Sequence, residues 1–476
     1  MILEPPPPMP PPPPVIAEVL VAPNGAQGDE LGRSSSISGP LIAGGRYLAD
    51  IEGRTNAGAA RLWRLDADGT VIAEGEVTAP DGLANDEFGI SVSVDAACEL
   101  GDERDSATWP RLVVGAWNAD LPGKSDAGAA YVYRRDPASM LWEFEAKLTA
   151  SDSAASSQFG RSVSIEGNLI VVGAWQHSFS RGALYVFRRD AGGWVQESKL
   201  LASDGTNGDG FGVSVAIDGD RVIGGAWGDD IGSNGNQGSA YVFRRNSPGA
   251  WVQEAKLVAS DGAASDECGR GVALDGDTAI MGTWQFWNDG PGAAHVFVRL
   301  GSAWVEQATL AHPNPSAADY FGFTVGVSGD MALVGAWADD VDGVTNQGTV
   351  HAFWRDDGGN WTHIGELTRP TPQGSAYFGF SVAIDGAVAA IGSRLDDING
   401  TPNQGSVTLV CIDTVLCNNC PRVFAPADFN KDGVVDGDDL GTLLGEWGPC
   451  PACSTDLDGD GVVDGDDLGA LLGQWT

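Results

Sequence analysis

One unit recurs along most of this chain and limits what it can fold into. Its clearest copy is FGVSVAIDGDRVIGGAW, from Phe211 to Trp227, followed by GSAYVFRR (Gly238 to Arg245) and WVQEAKLVASDG (Trp251 to Gly262). Four short apolar runs are separated by turn chemistry. In the first, Val213, Val215 and Ile217 alternate with polar or small residues, and Asp218-Gly219-Asp220 then turns the chain. Short alternating runs bounded by Gly, Asp and Asn predict an antiparallel four-stranded meander, not helices. A sheet of that size cannot bury both faces by itself, so the copies must pack on one another.

The first glycine of the unit falls at Gly32, Gly89, Gly160, Gly212, Gly269, Gly322 and Gly379, preceded by Leu31, Phe88, Phe159, Phe211, Cys268, Phe321 and Phe378. The second run ends in GAW at Trp117, Trp175, Trp227 and Trp337, drifting to GTW at Trp284 and GSR at Arg394. The third opens at Gly128, Gly182, Gly238, Gly292, Gly348 and Gly405, with a degenerate GAARLW at Gly58. Seven units of four strands predict a mainly β fold, a seven-bladed propeller whose closure removes the open edges. The seventh unit has no WVQEAKL run. AEVLVAPNGAQGDELGRS (Ala17 to Ser34) matches EAKLVASDGAASDECGRG (Glu254 to Gly271), so the N-terminal segment is expected to supply the last blade's fourth strand.

These residues resemble FG-GAP repeats, the blades of integrin α-like propellers and of many secreted bacterial proteins. The resemblance spans 15–412 and implies a binding or adhesion module with a protein or glycan partner. The FG glycines and GAW small residues are expected to allow close backbone approach near the channel, and the Phe and Trp side chains to pack between blades.

Connection order puts the loops joining strands 2–3 and 4–1 on one face of the ring. They carry Asp120, Asp229, Asp230, Asp339, Asp340, Asp396 and Asp397, and Asp29, Asp81, Asp86, Asp152, Asp204, Asp209, Asp261 and Asp266. The 3–4 turns on the opposite face carry Arg134, Arg135, Arg188, Arg189, Arg244, Arg245 and Arg355. An acidic face, suited to a cation or to a basic or polyhydroxylated partner, and a mixed face are expected. The competing reading makes these acids turn formers. Calcium in the blades is not expected, because the 1–2 hairpins are short and the long one, Asp95 to Pro110, has no DxDxDG pattern.

The chain opens with a proline-rich segment, 1–14, read as a polyproline II spacer or the remnant of a start placed downstream of the true one; no signal peptide is visible in it. No apolar run is long enough to span a bilayer. With 65 acids against 27 bases the formal charge is −38, which argues against nucleic acid and anionic lipid as partners.

Beyond a linker, 413–426, composition changes sharply. The segment 427–476 holds two near-copies, DFNKDGVVDGDDLGTLLGEW and DLDGDGVVDGDDLGALLGQW. Calcium takes six to eight oxygens, and a 12-residue loop supplies them from positions 1, 3, 5, 7, 9 and 12. In the first loop these are Asp428, Asn430, Asp432, the Val434 carbonyl, Asp436 and Asp439. In the second they are Asp456, Asp458, Asp460, the Val462 carbonyl, Asp464 and Asp467. Gly433 and Gly461 stand where the loop turns sharply, and Val435 and Val463 can pair the two loops. With Asp at position 12 and no entering helix, the segment resembles a dockerin type I domain. That resemblance implies a small α-helical module, two calcium ions, and a cohesin-like or other surface receptor. Positions 10 and 11, Gly437-Asp438 and Gly465-Asp466, depart from the hydroxyl residues usual in cohesin recognition.

Cys417, Cys420, Cys450 and Cys453 bracket the first loop and read as disulfides, with tetrahedral zinc as the alternative; Cys98, Cys268 and Cys411 read as buried or free thiols. No catalytic or cofactor-binding motif is legible. His295 and His351 take the position of Tyr131, Tyr185 and Tyr241 and read as packing residues, while His177 lies in a 2–3 loop without a legible partner. The reading is an extracellular or cell-surface bacterial binding protein, monomeric, without a transmembrane segment, tethered by its tail. The alternative is a polysaccharide-degrading enzyme or accessory protein carried by a dockerin; a third reading is a structural surface protein.

Overall fold

In each repeat the alternating runs form strands, and each Gly- and Asp-rich interval reverses the chain. The computed structural model describes residues 10–66, 69–96, 109–136, 138–288 and 290–412, with two short strands at Gly448–Pro449 and Val462–Val463. Seven four-stranded antiparallel sheets follow one another in chain order. The blade opening at Phe159 is representative, with strands Phe159–Glu166, Leu169–Ala174, Leu184–Asp190 and Gly193–Leu200 running from the channel outward. Between stacked blades the second strand has no free face. Leu41–Arg46, Arg111–Ala116, Leu169–Ala174 and Thr278–Thr283 are buried along their whole length.

The ring closes as the sequence pattern requires. Phe378–Asp385, Val388–Ser393 and Ser406–Cys411 form three strands of the seventh blade, and Val15–Leu20 adds the fourth, from Val15 opposite Cys411 to Leu20 opposite Val407.

Small residues and hydroxyls join the blades near the channel. A Cβ on Gly45, Gly115, Gly173, Gly225, Gly282, Gly335 or Gly392 would overlap the carbonyl oxygen of the next repeat's FG glycine. Beside them, Ser34, Ser91, Ser162, Ser214, Thr324 and Ser381 donate hydroxyl hydrogens to those same carbonyls at 2.8–3.0 Å. At the far end of each inner strand a polar side chain accepts a backbone N–H from the next blade's 1–2 turn. The acceptors are Ser38, Asp95, Glu166, Asp218, Asp275, Ser328 and Asp385, which complete a seven-membered ring.

A second staple lies at the rim. The third and fourth strands of blade four lose register between Val242 and Phe243, where Ala255 and Gln253 pair and Glu254 is left over. The same bulge displaces Glu74, Glu145 and Glu197. A bulge re-aims a side chain, and here each glutamate reaches an arginine of the following blade: Arg135 on Glu74 (2.5 Å), Arg189 on Glu145 (2.7 Å), Arg245 on Glu197 (2.6 Å) and Arg299 on Glu254 (3.0 Å). Several arginines of the expected mixed face are therefore internal fasteners of the ring.

The chain divides into two compact units, Met1–Asp66 with Val71–Asn418, and Ala67–Thr70 with Asn419–Thr476. In the second unit the described part is an antiparallel pair, Gly448 opposite Val463 and Pro449 opposite Val462. Val463 thus pairs with Gly448; Val435, its expected partner, lies outside the described residues. No described helix is long and apolar enough to cross a membrane.

Candidate functional site at the channel mouth

Most acids of the 2–3 and 4–1 loops are engaged within the protein, while Asp261 is exposed and only approaches His295 at 3.8 Å. Asp120, Asp230, Asp340 and Asp397 each accept the N–H of the residue six positions on, at 2.7–2.9 Å. Asp29, Asp86, Asp209 and Asp266 each accept the N–H of the residue three positions back, at 2.5–2.8 Å. Asp81, Asp152 and Asp204 join Tyr131, Tyr185 and Tyr241 to Lys147, Lys199 and Lys256. Asp229 holds Ser239 and Lys256, and Asp396 holds Ser406 and Arg369. The turn-forming reading of these acids is the one the structure supports.

The centre of that face is aromatic and cationic. The residue after each FG pair points into the channel just below the mouth, and reads Arg33, Ile90, Arg161, Val213, Arg270, Phe323 and Phe380 around the ring. The residue following each second strand forms the lip above, and reads Tyr47, Trp117, Trp175, Trp227, Trp284, Trp337 and Arg394. The two layers interlock. Arg270 lies between the Trp227 and Trp284 rings, 4.4 Å from each centroid. Arg161 covers Trp117 at 5.3 Å, and Arg33 and Arg394 flank the Phe380 ring at 4.9 and 4.5 Å. Such contacts are each worth on the order of 0.5–2 kcal/mol. They hold the guanidiniums without neutralising them.

Charge pairing separates the four arginines. Arg270 meets Glu267 at 3.3 Å and Arg394 meets Glu30 at 2.6 Å. Among the described residues Arg33 and Arg161 have no carboxylate partner within ion-pair distance. Burial, then the neighbouring Arg33 and Arg270 charges, pushes Arg161 well below the usual arginine range; burial chiefly lowers Arg33, with the Arg394 charge adding to it. Guanidinium does not give up its proton in proteins, so the shift marks a cation short of counter-charge. The channel here holds a space of about 180 Å³, lined by the seven channel-facing residues together with serines and valines. The indole N–H groups of Trp227, Trp284 and Trp337 are buried without an acceptor among the described residues.

Two large aromatic side chains on the loops of this face are exposed. Phe179 is 86% exposed and Trp287 is 70% exposed, on the 2–3 loops of blades three and five. Ser178, Phe179 and Ser180 all have positive φ (54°, 62° and 60°). Three consecutive left-handed non-glycine residues are costly, and such strain concentrates at binding sites.

Elsewhere the structure revises several expectations. His177 has neighbours, Lys199 at 2.8 Å, Tyr185 at 3.5 Å and Asp152 at 3.6 Å. His351 lies among other histidines, so packing is not its whole surroundings. Cys268 keeps its expected place as a buried free thiol, its pKa pushed up to about 12 by burial. Cys411 is disulfide-bonded, contrary to its reading as a thiol. Cys98, Cys417, Cys420, Cys450 and Cys453 lie outside the described residues. So do the predicted calcium ligands Asp428, Asn430, Asp432, Val434, Asp436, Asp439, Asp456, Asp458, Asp460, Asp464 and Asp467; Val462 is described only as part of its short strand.

The fold is a seven-bladed β-propeller of the ligand-binding or adhesion type. The FG-GAP repeat family matches residues 142–187, 194–243, 251–297, 304–353 and 361–409. The chain belongs to that family. Comparison with curated proteins finds no match.

Proposed function

We propose that this protein binds an acidic polysaccharide at the aromatic mouth of its propeller. The observation that carries this reading is the pair of half-buried guanidiniums, Arg33 and Arg161, without a carboxylate partner among the described residues and inside a lip of indole and phenol rings. A uronic acid matches both parts: its carboxylate takes the guanidinium fork and its sugar face stacks on the rings. The net charge of −38 opposes a polyanion at long range. At physiological ionic strength the screening length is about 8 Å, so a carboxylate seated in the mouth is governed by the arginines it touches. Most of the rim acids are already committed to backbone amides, hydroxyls and basic side chains.

The tail complements this role in the same proposal. Two calcium ions, held by the loops beginning at Asp428 and Asp456, fold a dockerin-like module that fixes the propeller at the cell surface or outside the cell. Support for this part comes from the residue spacing alone. Calorimetric titration should then find about two calcium ions per chain bound by those loops.

Retention of the full-length chain on polygalacturonate and on a neutral glucan tests the reading. Binding is expected to the acidic polymer only, and R161A and R33A should each weaken it at least tenfold. Equal binding to both polymers, or undiminished binding by R161A, overturns it. Release of reducing sugar in the same mixtures would instead favour a polysaccharide-degrading enzyme.

A further inference from the structure

Blades two, three and four build the same outer cluster, in which a third-strand tyrosine and a fourth-strand lysine share a loop aspartate: Tyr131–Lys147–Asp81, Tyr185–Lys199–Asp152 and Tyr241–Lys256–Asp204. Each cluster carries its own cation. Blade six replaces every part of it. His351 stands in the tyrosine column and Glu366 in the lysine column. His363 takes the position of Gln196 and Gln253, and His312 that of Ala150, Ala202 and Ala259. Three of the chain's five histidines thus meet at one place, and the lysine that would have supplied positive charge has become a glutamate.

We propose that this cluster is a binding site for one divalent transition-metal ion of the zinc class, held by His312 Nε2, His351 Nε2 and the Asp339 carboxylate. One donor atom from each of the three residues lies within 4.8 Å of the other two, and all three residues are buried. His312 Nε2 and Asp339 Oδ2 are 3.2 Å apart. A tetrahedral ion with bonds of about 2.0–2.1 Å separates its ligands by about 3.3 Å, so this edge already has metal-bound dimensions. Thr349 Oγ1 sits between the donors, 2.8 Å from Asp339 Oδ2 and 3.0 Å from His351 Nε2. Three protein ligands and one further oxygen position form the open type of site. Two imidazoles with one carboxylate favour zinc, copper or nickel over calcium or magnesium.

The surroundings suit a cation. Asp319 and Glu366 add their fields to that of Asp339 at His312. Behind His351, Nδ1 lies 3.2 Å from His363 Nε2. A metal-bound imidazole normally gives its remote N–H to an acceptor that fixes the tautomer, and here the His363 Nε2 lone pair fills that place. Without metal, His312 accepts the Asn314 N–H at Nδ1 (3.1 Å) and donates its Nε2 hydrogen to Asp339. Loading moves that hydrogen from Nε2 to Nδ1, so the Asn314 peptide N–H turns away while the proton count of the ring is unchanged.

Cobalt(II) uptake by the full-length chain, with disulfides intact and calcium in excess to occupy the acidic tail, tests the site. Two replacements restore what other blades carry, H312A and H351Y, and so suit the fold. The wild type should take up one more ion than either variant, with visible absorption of nitrogen–oxygen ligation and without thiolate charge-transfer bands. H363Q should keep the ion but bind it roughly 10- to 100-fold more weakly, the range for losing the partner of a metal-bound imidazole. Equal uptake by wild type, H312A and H351Y overturns the proposal. Histidine ring NMR of the wild type gives a check independent of the variants. Zinc should shift His312, His351 and His363 and leave His177 and His295 in place; shifts confined to the latter two, or none at all, overturn it equally.

Discussion

The seventh blade provides an internal measurement of how firmly the ring is closed. Leu20, on the N-terminal strand, is 3% exposed, and Leu257, at the same place in the fourth blade, is 2% exposed. Truncating a buried leucine to alanine costs about 2–5 kcal/mol, and the two sites are matched in chemistry and burial. They differ in connectivity. Leu257 pairs with Ala240, 17 residues away, whereas Leu20 pairs with Val407, 387 residues away. Loop-closure entropy alone would make the longer connection about 3 kcal/mol more costly to form. If the N-terminal strand docked as a separate step, that cost would let it open locally and L20A would be absorbed. If the stacked blades already hold the chain ends together, opening costs as much as global unfolding and L20A should match L257A. The interlocked glycines and the hydroxyl bond from Ser381 to Gly32 favour the second case. Urea unfolding followed by tryptophan fluorescence should therefore give equal midpoint shifts for L20A and L257A. A shift for L20A below about a third of that for L257A would refute cooperative closure.

Other outcomes follow from single contacts. Cys268 replaces the FG phenylalanine in blade five, and Met281 stands where Val172 and Val334 accompany Phe159 and Phe321. C268F should cost about 1–3 kcal/mol by overpacking, and adding M281V should recover most of it in urea melts; the native Cys268 thiol should resist alkylation until the chain unfolds. Two glutamates should respond to pH with opposite signs. Burial and the nearby Asp218 and Asp95 raise the Glu166 pKa, so its charge penalises the fold above the raised value and the penalty fades as pH falls through it. For Glu197 burial raises the pKa but is outweighed by Arg245 and Trp251. Its stabilisation is therefore present above the ordinary glutamate value and is lost as pH falls through the lowered one. At pH 7, E166Q should raise and E197Q should lower the melting temperature, and both differences should shrink towards pH 3.

Blade count, strand order and closure were legible because each depends on local signals: alternation within a run, glycine at each turn, and a missing run matched at the other end of the chain. The mouth was not, because its residues come one per blade. Arg33, Arg161 and Arg270 are more than 100 residues apart in sequence and meet only when the ring closes. A column reading of the residue after each FG pair contains the signal, but alternation along a strand does not say which face looks into the channel. The acids left two readings open for a related reason. Composition counts carboxylates, and only geometry shows that Asp120 or Asp230 is spent on an amide six residues on. The blade-six histidines were scattered in the same way, with His312 in a loop and His351 and His363 on adjacent strands.

The repeat also shows where consensus reasoning should fail. Six blades place a hydroxyl one residue after the channel-facing position and bond it to the next FG carbonyl; blade five has Gly271 there. Restoring serine would add a hydrogen bond worth about 1 kcal/mol. A Cβ on Gly271, however, would lie 2.8 Å from the Phe323 carbonyl oxygen and 3.3 Å from the Thr324 Cα, both backbone atoms of blade six. Neither can move without shifting a strand tied to the Trp284–Phe323–Trp337 ring cluster. Steric displacement of that kind costs about 1–3 kcal/mol, which exceeds the bond gained. G271A should therefore destabilise the propeller, and G271S should destabilise it less than G271A by the worth of the hydroxyl bond. A G271S variant more stable than wild type would mean that the spacing between blades five and six yields to a single methylene, and that the glycine is a vacancy in the pattern and not a fit to its neighbour.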